Sequence, residues 1–501
     1  MHDLRRNVTA LAFVLVAPQA LGQVFVDRGA EMGIAPAGEH AAWGDVNRDG
    51  YPDLWAGGVL WVNREGKSFG KIDAAGQGVI VDLDNDGDGE LVSYAPVAIS
   101  ELVWEQPSAA AEPGLPVQIH GLPVQVRATS MLPELPVTVS RGVAAADYNR
   151  DGYVDLFFGG YEDWGTQTTF PSMLLLNEGG KSFRIAWSAS DRRARGVTAC
   201  DFDGDGDSDI YVSNYRLQPN TLLVNDGSAR FSDDAAARNA AATSEGFAGG
   251  HSIGACFGDF DNDGNFDIFA GNFAHVDSRG DQPKSRFLRN RGAKGAFTFD
   301  DLRECGVWYQ ESYASPACAD FDNDGRLDLY LTTVYADASF GKKNFPVLYR
   351  SDSIGRETWA FKDVTEGSGL ERLPPTYQAA WADVDRDGRV DLVTAGRLFM
   401  NNGPKDAHWL GVRLEGDGKT VNRDAIGAVV RVQAGERVLT RQVEAGTGEG
   451  NSNALLLHLG LGASVEPVDV TVRWPDGTEQ RLPRQQVDRV LEVMHAPTTS
   501  P

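Results

Sequence analysis

The sequence lacks most of the patterns that announce chemistry. It holds no Ser-His-Asp constellation, phosphate-binding P-loop, dinucleotide fingerprint or zinc-ligand spacing, which argues against hydrolase, kinase and oxidoreductase functions. Basic patches with interleaved aromatics are missing, and the net charge of −25 disfavours nucleic acid and anionic membranes as partners. Only four cysteines occur, Cys200, Cys256, Cys305 and Cys318. They allow three pairings, among which the sequence does not choose, and leave free buried thiols open. Long apolar runs are absent except near the start, where Val8 to Ala17 is too short to span a bilayer. That run follows Arg5 and Arg6 and precedes Ala20-Leu21-Gly22, so residues 1–22 read as a secretory signal cleaved after Gly22. The expected location is outside the cytoplasm, either secreted or at the periplasm and cell surface.

What the chain has in abundance is one acidic nonapeptide. Asp201-Phe202-Asp203-Gly204-Asp205-Gly206-Asp207-Ser208-Asp209 places carboxylates at positions 1, 3, 5 and 9 and glycine at 6. Alternate side chains of such a tight turn converge on one point, and a hard cation wanting six to eight oxygens fits there. Six further copies give the candidate ligand sets Asp45, Asn47, Asp49 and Asp53; Asp82, Asp84, Asp86 and Glu90; Asp147, Asn149, Asp151 and Asp155; Asp259, Asp261, Asp263 and Asp267; Asp320, Asp322, Asp324 and Asp328; and Asp383, Asp385, Asp387 and Asp391, beside Asp201, Asp203, Asp205 and Asp209. Up to seven Ca2+ ions in a mainly structural role are therefore expected. The seven nonapeptides hold 28 of the 71 acidic residues, so much of the acidity is ligand. Position 12 is never Glu, which excludes EF-hands.

The copies start 37 to 65 residues apart, the spacing of a structural repeat. Short β-prone runs flank them, as in Leu156-Phe157-Phe158-Gly159-Gly160. A second motif follows in phase: a strand ending in Asn, a Gly turn, then Phe, as in Val224-Asn225-Asp226-Gly227 before Phe231. Each unit thus supplies about four strands, and seven such units predict an all-β fold, a seven-bladed β-propeller with calcium loops over residues 23–405. The last unit lacks its Phe-x-Asp strand, and Val24-Phe25-Val26-Asp27 is expected to supply it and close the ring. The second unit is irregular, either degenerate or interrupted by the Pro-rich insertion around Pro113 and Pro116. Residues 406–495 carry further β runs without acidic loops, a small β-sandwich-like domain, and 496–501 are expected to be a disordered tail.

The acidic loops resemble the FG-GAP and VCBS repeats of integrin-α-like propellers. The segments His408-Trp409-Leu410, Asn422-Arg423-Asp424-Ala425-Ile426-Gly427, His458-Leu459-Gly460-Leu461-Gly462 and Val472-Arg473-Trp474-Pro475-Asp476-Gly477 resemble the ASPIC/UnbV domain. The combination is similar to the cartilage acidic protein family and its bacterial relatives. That family usually carries a Ser-Gln-rich stretch where this chain has Thr447 to Asn453, so a ligand contact there would differ. The resemblance implies a secreted binding or adhesion module for extracellular protein or glycan ligands, without catalysis. The rival from another class is a polysaccharide lyase or dehydratase, whose base would be His40, His251 or His275. Trp43, Trp55, Trp164 and Trp381 are sugar-stacking candidates, with core packing as the plainer role.

Overall fold

A computed structural model describes residues 24–104, 122–352 and 360–496. The signal and tail expectations and the Pro-rich insertion lie outside them. Seven four-stranded antiparallel sheets run in chain order. The first strands of blades 1 to 7 are Ala41–Gly44, Gly78–Val81, Ser140–Ala146, Ala194–Cys200, His251–Gly258, Tyr313–Ala319 and Ala379–Ala382. Each packs against the first strand of the next blade, and that of blade 7 packs against that of blade 1, so the ring is closed. These strands are rich in Ala and Gly because seven of them must crowd one axis. Between blades the core is aromatic, as where Phe25 stands 5.9 Å from both Phe321 and Trp381.

Closure occurs as the sequence predicts. Phe25–Asp27 pairs antiparallel with Arg397–Asn401 and completes blade 7 as its outermost strand. Blade 2 is a full four-stranded sheet, and its insertion falls between its third and fourth strands, Val97–Val103 and Gln125–Ala128.

Beyond Asn401 the chain forms two sheets. One has His408–Glu415 between Leu457–Gly462 and Arg489–Met494; the other orders Arg437–Gln442, Val429–Ala434, Val468–Arg473 and Glu479–Gln485. Alternating buried residues such as Val430, Val432, Val470 and Val472 face Leu410 and Val412 in a core continuous with that of blades 2 to 4.

The stretch 444–454 leaves this module and runs into the propeller axis. It exchanges main-chain bonds with inner strands around the ring: Ala145 N to Ala445 O at 2.9 Å, Gly448 N to Ala255 O at 3.0 Å, Trp43 N to Ser452 O and Ser452 N to Ala41 O at 3.0 Å, and Ala454 N to Trp381 O at 3.0 Å. Inner-strand amides and carbonyls that would otherwise face an empty channel are thereby satisfied. Glycine is required at the tightest point, since a Cβ on Gly448, at φ +61°, would lie 2.1 Å from Ser315 Oγ. Residues 447–453, where the resembled family usually carries a Ser-Gln-rich stretch, thus form a plug paired with the inner strands. None of the four cysteines is joined in a disulfide, and Cys200 and Cys256 are buried on inner strands.

Candidate metal centres

Each acidic nonapeptide joins the first strand of a blade to the second, and its backbone reverses through left-handed residues at positions 4 and 6. Position 4 has φ between 56° and 62° at Arg48, Asn85, Arg150, Asn262, Asn323 and Arg386, and position 6 is always Gly. The position 1 carboxylate accepts the Gly N–H, as from Gly206 to Asp201 (3.1 Å) and Gly325 to Asp320 (2.9 Å). The position 9 carboxylate takes N–H bonds from two strands. Asp267 accepts from Phe260 N at 3.2 Å and from Asn290 N at 2.7 Å, and Asp391 from Val384 N at 2.9 Å and Asn401 N at 2.7 Å.

The structure brings acidic oxygens within 4.8 Å of one another in the sets Asp82, Asp84, Asp86; Asp201, Asp203, Asp209; Asp259, Asp261, Asp263; and Asp320, Asp322, Asp328. Asp88, which the spacing rule omits, joins Asp86 and Glu90 in another. In loops 1 and 3 the Asn47 and Asn149 amides instead donate to Asp49 (3.0 Å) and Asp151 (2.9 Å). Burial, followed by neighbouring charge, raises these carboxyls: Asp82 to about 8, with Asp424 its nearest like charge, and Asp203 to about 6, with Asp205 beside it. Oxygens of Asp82, Asp201, Asp203, Asp209 and Asp320 are buried with no hydrogen-bond donor. Converging carboxylates with orphaned inward oxygens are a poor apo arrangement and a good set of hard-cation ligands, so these residues fit calcium.

The recurrent Asn does more than turn a hairpin. Asn225 Nδ2 donates to Ser208 O of its own loop (3.2 Å) and to Tyr148 O of the preceding blade's loop (2.9 Å). Asn63, Asn177, Asn290 and Asn401 repeat this bridge. Position 4 laces the ring the other way, Asn85 to Gly152 O at 3.0 Å and Asn323 to Gly388 O at 2.8 Å. The recurrence was visible in the sequence, but its partners lie on another blade. Replacing Asn290 with Ala strands the buried carbonyls of Phe202 and Phe266, and the expected loss is about 2–3 kcal/mol in a denaturant titration.

The C-terminal sheets cover this loop face. Arg413 Nη2 lies 2.7 Å from Asp45, Arg473 pairs with Asp201, Gly460 N donates to Asp320 (3.1 Å), and Asp424 accepts from Asp82 N (2.7 Å). Arg441 is buried near Asp259 and Asp320. The module thus docks on the first residues of the loops, on the carboxylates of Asp45, Asp201 and Asp320 and on the amide of Asp82.

The three candidate histidines, His40, His251 and His275, lie on the opposite face, whereas His458 meets Asn323 on the loop side at 2.6 Å. His40, buried, stacks on Tyr377 with centroids 5.8 Å apart, and burial lowers its pKa to about 3. His251 and His275 stand ring to ring at 5.4 Å. Trp43, Trp55 and Trp381 are core residues, whereas Trp164 is 61% exposed.

Comparison with known proteins agrees with this architecture. The FG-GAP-like repeat family matches residues 147–212 and 201–270, and the ASPIC and UnbV family matches 418–500. Cartilage acidic protein 1 of Mus musculus is 26% identical over 320 residues, 60% of this chain and 45% of that protein; the Homo sapiens protein is 25% identical over 60% and 44%. The chain spans less than half the length of these curated relatives. A solved Agrocybe aegerita lectin described as recognising non-reducing terminal N-acetylglucosamine is 14% identical with a TM-score of 0.39, covering 69% of this chain and 85% of that one. The chain carries FG-GAP-like repeats followed by an ASPIC and UnbV domain and is similar to cartilage acidic protein 1.

Proposed function

We propose that the chain is an exported, calcium-stabilised binding module that holds an extracellular protein or glycan and performs no chemistry of its own. The observation that carries this reading is the filled axis. The deepest concavity a propeller can offer is occupied by residues 444–454, and the buried Arg195 at its far end is already paired with Glu449, Nη2 to Oε1 at 2.5 Å. What remains open is the broad face away from the loops. Similarity to relatives whose name places an acidic protein in cartilage supports an extracellular setting. Among the described residues no helix is long and apolar enough to cross a membrane.

The test is an array of polysaccharides and extracellular proteins probed with the calcium-loaded chain, with the glycans assayed for products. Saturable binding with unchanged glycans is expected. Unsaturated or reducing products would overturn the reading and make His251 and His275 the residues to replace.

A further inference from the structure

The inner strands of neighbouring blades belong to different sheets, so side-chain packing rather than a main-chain ladder joins them. At the seam between blades 5 and 6 both strands carry a cysteine. Cys256 lies on His251–Gly258 and Cys318 on Tyr313–Ala319, which pack side by side. Cys318 Sγ donates to Phe257 O at 3.4 Å, the carbonyl next to Cys256, and its sulfur accepts from the Cys256 thiol. Both side chains pack in one apolar core.

The other two cysteines stand apart from this pair. Cys200 Sγ donates to Gln442 Oε1 of the C-terminal module at 3.6 Å. Cys305 O accepts the amide of Phe361 at 2.8 Å, which puts it beside Phe361–Asp363, the outermost strand of blade 6 and three strands removed from Cys318.

We propose that Cys256 and Cys318, unjoined in this structure, are a disulfide-forming pair whose sulfurs become bonded across blades 5 and 6 in the oxidising setting outside the cytoplasm. Oxidation breaks two S–H bonds and forms one S–S bond. The two electrons and two protons pass to a low-molecular-weight disulfide, whose own S–S bond is reduced to two thiols by exchange through a mixed disulfide. Sulfurs already in hydrogen-bond contact close to the bond length of about 2.05 Å by turning about their side chains. Cys318 has room to turn, because it borders an internal cavity of about 110 Å³. Cys256 is fully buried, so the finished bond is shielded from reducing thiols. Its place gives it leverage: Cys256 stands three residues before Asp259 and Cys318 two before Asp320, the first carboxylates of two candidate calcium loops. A covalent tie there closes a long loop of chain and holds both acidic loops at one spacing.

The pairing rests on geometry; its oxidised state in the cell rests on the exported setting proposed above. The full chain is refolded from urea with calcium and glutathione disulfide, alkylated without reductant and mapped by mass spectrometry, beside chain isolated from the cells that make it with thiols blocked at lysis. A linked peptide holding Cys256 and Cys318 is expected in both, with Cys200 and Cys305 alkylated, so that the reactive thiols fall from four to two. Cys200→Ala and Cys305→Ala should keep the link, and the oxidised chain should unfold at higher urea than the reduced one. Four alkylated cysteines after refolding, or a link through Cys200 or Cys305, overturns the assignment; mapping the parent chain reads this even if Cys256→Ala or Cys318→Ala does not fold. A link formed on refolding beside four thiols in the cell-derived chain supports the pair and overturns the exported setting instead.

Discussion

Chelating calcium should lower the unfolding temperature sharply, and more so at about pH 8 than at about pH 5. Burial, then neighbouring carboxylates, raises Asp320 to about 8 and Asp259 and Asp383 to about 7; the buried Arg441 opposes the rise at Asp259 and a hydrogen bond from Gly388 N opposes it at Asp383. A folded-state pKa above the unfolded value means that, as pH rises from about 4 to 8, the unfolded chain gives up protons that the metal-free native state retains. Metal-free stability therefore falls over that window, while bound calcium keeps the same groups ionised and compensated. A site at a hundredfold excess of ligand over Kd contributes about 2.7 kcal/mol, and a few such sites rival the roughly 5–15 kcal/mol that holds a typical domain folded. Differential scanning calorimetry with and without chelator at both pH values checks this. Asp203→Ala and Asp322→Ala should each weaken the dependence, and identical melting with and without calcium would remove calcium from the account.

Glu449→Ala should be the most damaging single substitution away from the loops, costing about 3–5 kcal/mol. Glu449 is fully buried at the plug tip, and its Oε1 meets Arg195 Nε at 2.6 Å. Arg195 itself is buried, its guanidinium 4.9, 5.5 and 5.4 Å from the rings of Tyr161, Tyr215 and Tyr377. Truncation leaves an unpaired cation in a site that excludes water. Urea titration measures the loss. Hydrogen exchange at Trp43, Ala145 and Ser452, whose amides bond across the plug, tells whether the plug has loosened. Wild-type stability and protection in Glu449→Ala would mean that the pair does not anchor it.

The repeated units were legible because their signals are local. A nonapeptide with acidic residues at odd positions and Gly at 6 encodes its own turn, and the flanking runs encode their own strands. Closure by Phe25–Asp27 was legible too, since one repeat lacked a strand that the N-terminus had to spare. The Asn bridges were seen only as turns, because Asn290 finds Phe202 across 88 positions of sequence. The edge-to-face contact of His251 and His275 was not legible for the same reason: nothing local joins them.

The sequence by itself determined the all-β class, the seven blades, their phase and the place of an acidic loop in each, since each follows from spacing within one unit. The tertiary structure decided that the C-terminal module sits on the loops, that residues 444–454 fill the axis, and which face is left open. These depend on inner-strand edges and outward carboxylate oxygens that exist only once seven blades have closed into a ring, and only then do the plug's backbone and the module's arginines have partners to meet.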